Sequence, residues 1–207
     1  MANPWLAVPL SDYEGHMRSA NVEQLDALSE LFAKALSIAR PASVAILGIA
    51  GGNGLEHIDP DHTTRIIGID VNDAYLEAIR ERYASLPGLE LHCLDLSKET
   101  LRLEPVQLVH AALVFEHAGV GQPLDNALSL VAPGGTMSIV LQLPSQTEAG
   151  VSPTAFSTLQ NLKPHFSLID PQWLVATLAS RGFTLKEQME HPLPAGKALW
   201  MGIFNRA

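Results

Sequence analysis

The stretch Val44-Ala-Ile-Leu-Gly-Ile-Ala-Gly-Gly-Asn-Gly54 runs an apolar segment straight into a glycine cluster. A second apolar run, Ile66-Ile-Gly-Ile69, ends on Asp70. A buried strand, a tight glycine turn, a helix and a second strand ending in a carboxylate form the arrangement by which open α/β sheets hold a nucleoside. The glycines let backbone approach the ligand, and the carboxylate takes the ribose hydroxyls.

Working outward, the 207 residues suit one domain with a full-sized core. Hydrophobic residues make up 47% of the chain, and the mean hydropathy of +0.14 fits a parallel sheet buried on both faces. No apolar run approaches the roughly 20 residues that cross a bilayer, so no membrane association is expected. The first ten residues lack a basic leader and are broken by prolines, which argues against a signal peptide. With Cys93 as the single cysteine there is no internal disulfide, and a cytoplasmic address is expected. A net charge of −9 without a lysine or arginine cluster argues against nucleic acid and favours cationic ligands.

Residues 1–20 read as irregular, with Tyr13-Glu-Gly-His-Met17 as their dense cluster of functional groups. Asn21 and Gln24 have the spacing of a capping box before a helix whose apolar face is Leu25, Leu28, Leu31, Phe32, Ala35 and Leu36. Strands are expected at 43–48, 65–70, 89–94, 106–113 and 135–142, and helices at about 54–59, 73–85, 98–103 and 122–132. Such alternation implies a parallel sheet with right-handed crossovers. Residues 143–166 read as a loop-rich insertion. Asp170-Pro171 opens a helix that Gly182 closes, and 183–190 and 197–204 then form an antiparallel pair.

From about residue 43 to 204 the chain resembles class I S-adenosylmethionine-dependent methyltransferases. Ile46–Gly54 resembles their glycine-rich first motif, and Ile67-Gly-Ile-Asp70 their second, with its ribose carboxylate. His92-Cys-Leu-Asp-Leu96 is similar to the third, where an Asp receives the adenine amino group and the next residue packs on the ring. Leu130-Val-Ala-Pro-Gly-Gly-Thr136 resembles the turn before the fifth strand. The resemblance implies a doubly wound, mostly parallel seven-stranded sheet with helices on both faces and a C-terminal antiparallel hairpin. Residues 1–42 would be an N-terminal arm and capping helix, and 43–207 a Rossmann-like cofactor domain, in one compact domain overall. It implies S-adenosyl-L-methionine as cofactor, S-adenosyl-L-homocysteine as product and a small-molecule methyl acceptor. Carried onto this chain, the cofactor positions are Gly48, Ala50, Gly51, Gly52, Asn53, Gly54, Asp70, Val71, Asp95, Leu96, Val114 and Phe115. Two departures stand out. The family's acidic residue at the head of the first motif is Gly48 here, and its first glycine is Ala50. Asn53 and Glu56 are the available substitutes for the missing acid.

Each of these residues also has a simpler reading. Asp70 would serve equally as a helix N-cap, Asp95 as the cap of a following turn, Leu96 as core, and Glu116 as a solvated loop charge. His117 follows the fourth strand, so it is a candidate general base or a loop residue bonded to backbone. Tyr13, His16 and Met17 belong to an arm that either closes over the cofactor or is a surface arm packing Tyr13 and Met17 on the sheet. The catalytic candidates are therefore His117, His16 and Tyr13. The eight histidines show no metal-ligand spacing, and no metal is expected. A monomer or homodimer is expected. Two other functions are compatible with the sequence: a cofactor-binding protein without chemistry, given weight by Gly48 and Ala50, and a dinucleotide oxidoreductase. The latter is disfavoured by His57, which stands where a third glycine is wanted.

Overall fold

Seven strands form one sheet in the order β3-β2-β1-β4-β5-β7-β6 in the computed structural model, which describes residues 3–145 and 155–207. The strands are β1 (Ser43–Leu47), β2 (Arg65–Asp70), β3 (Leu89–Cys93), β4 (Val106–Ala112), β5 (Val131–Gln142), β6 (Phe183–Pro192) and β7 (Ala198–Arg206). The first five pair in parallel, and β7 runs antiparallel between β5 and β6. The expected doubly wound sheet with its terminal hairpin is present.

Alternation along the strands decides which helices cover which face. Val44 and Ile46 of β1 join one buried cluster, and Ala45 and Leu47 join the other. The first face is covered by α2 (Gln24–Ala39) and α3 (Asp73–Arg82). The opposite face packs on α5 (Gln122–Leu130) and α6 (Pro171–Ser180), with Phe115 of the short α4 (Phe115–Ala118). The predicted apolar face of α2 is buried throughout.

Several local expectations are corrected. Residues 1–20 are not irregular: a 3-10 turn, Pro4–Ala7, is followed by α1 (Leu10–Met17). There is no capping box at Asn21, because the Gln24 amide reaches across to donate to Gln142 Oε1 at 3.4 Å, and the cap residue is Glu23. The helix at 54–59 shrinks to a 3-10 turn, Leu55–His57, and the one at 98–103 to a turn folded on the Asp95 carboxylate. Ala132–Gly135 is an irregularity inside β5 rather than a turn before it, since Val106 pairs Val131 but Leu108 pairs Thr136. In the 143–166 insertion, Ser157–His165 forms a 3-10 helix, and 146–154, including Pro153, lie outside the described residues. Residues 1–2 lie outside them too. Among the described residues no helix is long and apolar enough to cross a membrane.

Candidate functional site

A cavity of about 350 Å³ lies beyond the carboxyl ends of the central strands, where the chain winds one way from β1 to β2 and the other way to β4. This switch point is where open α/β sheets place their ligands. Its floor comes from strand ends: Gly48 and Ala50 after β1, Asp70 and Val71 at β2, and Ala112, Leu113 and Val114 after β4. The N-terminal arm, the 3-10 helix at 157–165, the turn at Leu94–Lys98 and residues such as Tyr75, His117 and Gln142 supply the rest of the wall.

Asp70 is held in place by backbone. Its Oδ2 accepts the Ala50 N–H and its Oδ1 the Asn72 N–H, both at 2.9 Å. Burial pushes its carboxyl above the ordinary value against the opposing pull of these bonds. It does not cap a helix. That role belongs to Asn72, whose Oδ1 accepts the Ala74 N–H at 3.1 Å. A carboxylate has about four acceptor positions, so Asp70 retains capacity for a ligand's hydroxyls. Asp95 is more fully engaged. Its Oδ1 accepts from the Ser97 N–H and hydroxyl, and its Oδ2 from Lys98 Nζ at 2.7 Å and Asn3 Nδ2 at 3.2 Å. Partial burial pushes this carboxyl up, but those bonds win and bring it down to about 2. The capping reading of Asp95 is therefore real, and Asn3 takes the bond nearest the cavity's arm.

The glycine loop contributes less lining than its motif suggests. Gly48 and Ala50 line the cavity, whereas Gly51, Gly52, Asn53 and Gly54 do not. Gly48 has φ +63°, and a Cβ there would stand 2.8 Å from Val114 Cγ2. A side chain at this position would therefore meet both an unfavourable backbone conformation and the valine. Glu56 lies outside the cavity lining, with Oε2 accepting the Gly54 N–H at 3.0 Å and Oε1 the Ser29 hydroxyl. Asn53 instead donates to the Leu25 carbonyl at 2.8 Å, tying the loop to α2.

The arm covers the site. Asn72 Nδ2 donates to the carbonyls of Trp5 (3.0 Å) and Val8 (3.4 Å), and the Tyr75 hydroxyl donates to Val8 O at 2.9 Å. Glu14 of α1 pairs with Arg82 of α3 beside the Gly51 carbonyl. Val8, Leu159 and Leu162 form a small apolar cluster with Trp5, Tyr13 and Phe156, which joins the arm to the 157–165 helix. Both readings of the arm find support, since Met17 and Tyr13 pack on the buried face of the sheet while Asn3, Trp5, Tyr13 and His16 line the cavity.

The three catalytic candidates all line the cavity. Burial drives the His117 imidazole down to about 4, with the neighbouring His165 acting in the same direction. Its ring meets Trp5 and Phe166 edge-on, with centroids 4.9 and 5.1 Å away, and its buried Nδ1 has no partner among the described residues. His16 is likewise lowered by burial and then by Lys197, and its Nδ1 also lacks a partner. Both rings are thus neutral near pH 7, the form that accepts a proton. Burial raises the Tyr13 phenol, and Asp70 and Glu14 push the same way, so it stays protonated and serves as a donor. Glu116 is not the solvated charge expected. It is 1% exposed, its Oε1 accepts the Gln142 N–H at 2.8 Å, and burial lifts its carboxyl to about 7.

Val71, Leu96 and Val114 line the cavity, and Leu96 is at the same time core. Phe115 does not line it and is core alone. Sequence reasoning missed Asn3, Trp5, Gln24, Gln142, Phe166 and Lys197. Only the hairpin turn before Lys197 carried a signal, and it gave no direction for the side chain. Among the described residues no group of His, Cys, Asp or Glu is arranged to hold a metal.

Comparison of the sequence with protein-family models gives no match, and comparison with curated protein sequences gives none either. Solved structures do match. The N-methyltransferase NodS of Bradyrhizobium japonicum WM9, crystallised with S-adenosyl-L-homocysteine, aligns over 99% of both chains with 16% identity and a TM-score of 0.74. The CcbJ methyltransferase of Streptomyces caelestis aligns over 86% of this chain and 89% of its own, with 15% identity and a TM-score of 0.63. The [4+2]-cyclase SpnF aligns over 91% of this chain and 83% of its own, with 13% identity and a TM-score of 0.66. The fold is that of the class I S-adenosylmethionine-dependent methyltransferases.

Proposed function

We propose that the protein binds S-adenosyl-L-methionine and transfers its methyl group to a small-molecule acceptor. The observation that carries this reading is Asp70, a buried carboxylate with acceptor capacity left, set at the switch-point cavity of a methyltransferase fold. The residues fit such a cofactor. Asp70 would hold the ribose, Val71 and Leu96 would flank the adenine, and backbone at Gly48 and Ala50 would meet the methionine portion, with Asp95 reaching the adenine amine once Asn3 gives way. When bound, the cofactor supplies an electrophilic methyl carbon.

The protein's own part is positioning, exclusion of water and proton handling. Trp5, Phe166 and Leu162 give the cavity an apolar wall. The neutral His117 and His16 imidazoles can take a proton from an acceptor hydroxyl or ammonium, while Tyr13 orients it by donation. The enclosed volume and mixed lining suit a small molecule rather than a polymer. SpnF, a cyclase on this fold, supports a second reading, in which the chain binds the cofactor without transferring its methyl group.

Thermal melting and calorimetry with S-adenosylmethionine, S-adenosylhomocysteine and NADPH test the assignment. Ligand at about a hundredfold over its Kd stabilises by roughly 2.7 kcal/mol, which for a chain of this length raises Tm by about 5–11 °C. A rise with the two sulfur nucleosides alone is expected, and a rise with NADPH alone overturns the reading. Transfer of labelled methyl to any acceptor in a panel then separates the first reading from the second.

A further inference from the structure

Backbone strain marks one end of the cavity. Among the described residues four besides glycine hold a positive φ, and two of these, Ala50 at +48° and Leu113 at +56°, line it. Such conformations are costly, persist where the surroundings impose them, and cluster at functional sites. The Leu113 N–H donates to Val140 O at 3.0 Å, fastening the bend to β5. This bend ends β4 and sends the chain into α4. Val114 then lies close to Gly48, and His117, whose N–H donates to Val114 O at 3.1 Å, stands one turn further on. In the sheet, β1 separates this end from β2 and β3, after which Asp70 and Asp95 stand.

The walls at this end suit a ring. The His117 imidazole meets Trp5 at an interplanar angle of 83° and Phe166 at 66°. Leu159 and Leu162 of the 3-10 helix pack in the same apolar cluster as Trp5, and all of these residues line the cavity. Aromatic edges and leucines offer close contact to a flat apolar body and nothing to a charge. Asp70, Asp95, Lys98 and Lys197 also line the cavity, yet what bears on the His117 imidazole is burial and then His165, none of these four. The ring is neutral near pH 7, and its Nδ1 is sealed from solvent without a partner among the described residues. A half-turn of the ring exchanges its two edges and presents that nitrogen to the cavity. A neutral imidazole accepts a hydrogen bond from a hydroxyl and has no charge to offer a carboxylate.

We propose that the His117 end is the acceptor subsite and that it selects uncharged phenols, the ring lying among Trp5, Phe166, Leu159 and Leu162 and the hydroxyl donating to His117. The inference deepens the methyltransferase reading and rests on it for the word acceptor. It also narrows the expectation drawn from a net charge of −9: the field of the whole chain favours cations, but a cation entering this end would shed its water against apolar walls.

The test is a calorimetric titration of the whole protein near pH 7 with phenol, benzoate and benzylamine, each with and without S-adenosylhomocysteine. Phenol is expected to bind about tenfold or more tightly than either ion. His117→Phe keeps a ring in place but removes both nitrogens. Phenol should then weaken roughly three- to tenfold, the range of one neutral hydrogen bond, while toluene, which has no hydroxyl, binds the variant at least as tightly as the wild type. Benzoate or benzylamine binding as tightly as phenol, or no detectable phenol binding, overturns the proposal in the wild type alone. So does unchanged phenol affinity in folded His117→Phe. Failure of S-adenosylhomocysteine to bind sinks the cofactor assignment instead, and the phenol-to-ion ratio measured without it still decides this one.

Discussion

Replacing Glu116 by glutamine should change how stability depends on pH, by an amount the structure sets. The carboxyl is buried beneath the end of β4, with one oxygen accepting the Gln142 N–H and the other without a partner among the described residues. Burial lifts it from an ordinary value of 4.5 to about 7 in the fold. Between those limits the unfolded chain has lost its proton and the folded chain keeps it. The wild type therefore loses about 1.4 kcal/mol per pH unit across this window, and about 3 kcal/mol in all by pH 7. Its contribution is present below 4.5 and gone above 7. Glutamine keeps the acceptor for Gln142 but does not titrate. Relative to the wild type, Glu116→Gln should then gain about 3 kcal/mol between pH 4.5 and 8, or roughly 6–12 °C in Tm. His110 and His117, both lowered by burial to about 4, pull the other way as pH falls below 6.5, but they are common to both proteins. Urea or thermal unfolding of the pair in half-unit steps reads the difference directly. A gap that stays constant from pH 4.5 to 8 refutes the buried, protonated Glu116.

Three further outcomes are expected. Asp70→Ala should weaken S-adenosylmethionine binding roughly ten- to a hundredfold by calorimetry, the worth of one charge-assisted hydrogen bond; unchanged affinity in a folded variant rejects the ribose role. Asn72→Asp keeps the cap on α3 but cannot donate to the Trp5 and Val8 carbonyls, so limited proteolysis within residues 3–18 should accelerate several-fold, about 1 kcal/mol of arm closure being lost. Gly54→Ala places a side chain at φ +91° and a Cβ 2.8 Å from Phe32 Cδ1. The backbone cost alone is about 1–2 kcal/mol, which should lower Tm by roughly 2–8 °C.

What the sequence reveals and what it hides divide along physical lines. The strand positions, their parallel order and the terminal hairpin follow from local periodicity, as Val44–Leu47 and Ile66–Ile69 show by filling both faces of the sheet. Asp70 was legible because a carboxylate at the end of an apolar strand is already conspicuous. Glu116 was not, because its burial is decided by distant segments: Gln142 and Ser167 close on it. The arm was misread for a related reason. Pro4, Pro9 and Gly15 weaken the helical signal of residues 3–17, and what orders them is donation from Asn72 and Tyr75. Gly48 teaches the opposite lesson, since the space for a side chain there is closed by Val114, more than sixty residues away.

The strap formed by Asn3, Trp5 and Val8 bears on tempo as well as on shelter. Its fastenings reach residues of the nucleoside side, Asp95, Asn72 and Tyr75, so a nucleoside lying beneath it departs only after they part. Were the proposed cofactor held there, its residence time beneath the strap would set how often the site recycles. Substitutions at Asn3 or Trp5 offer a way to set that clock without altering a single group that meets the reacting atoms.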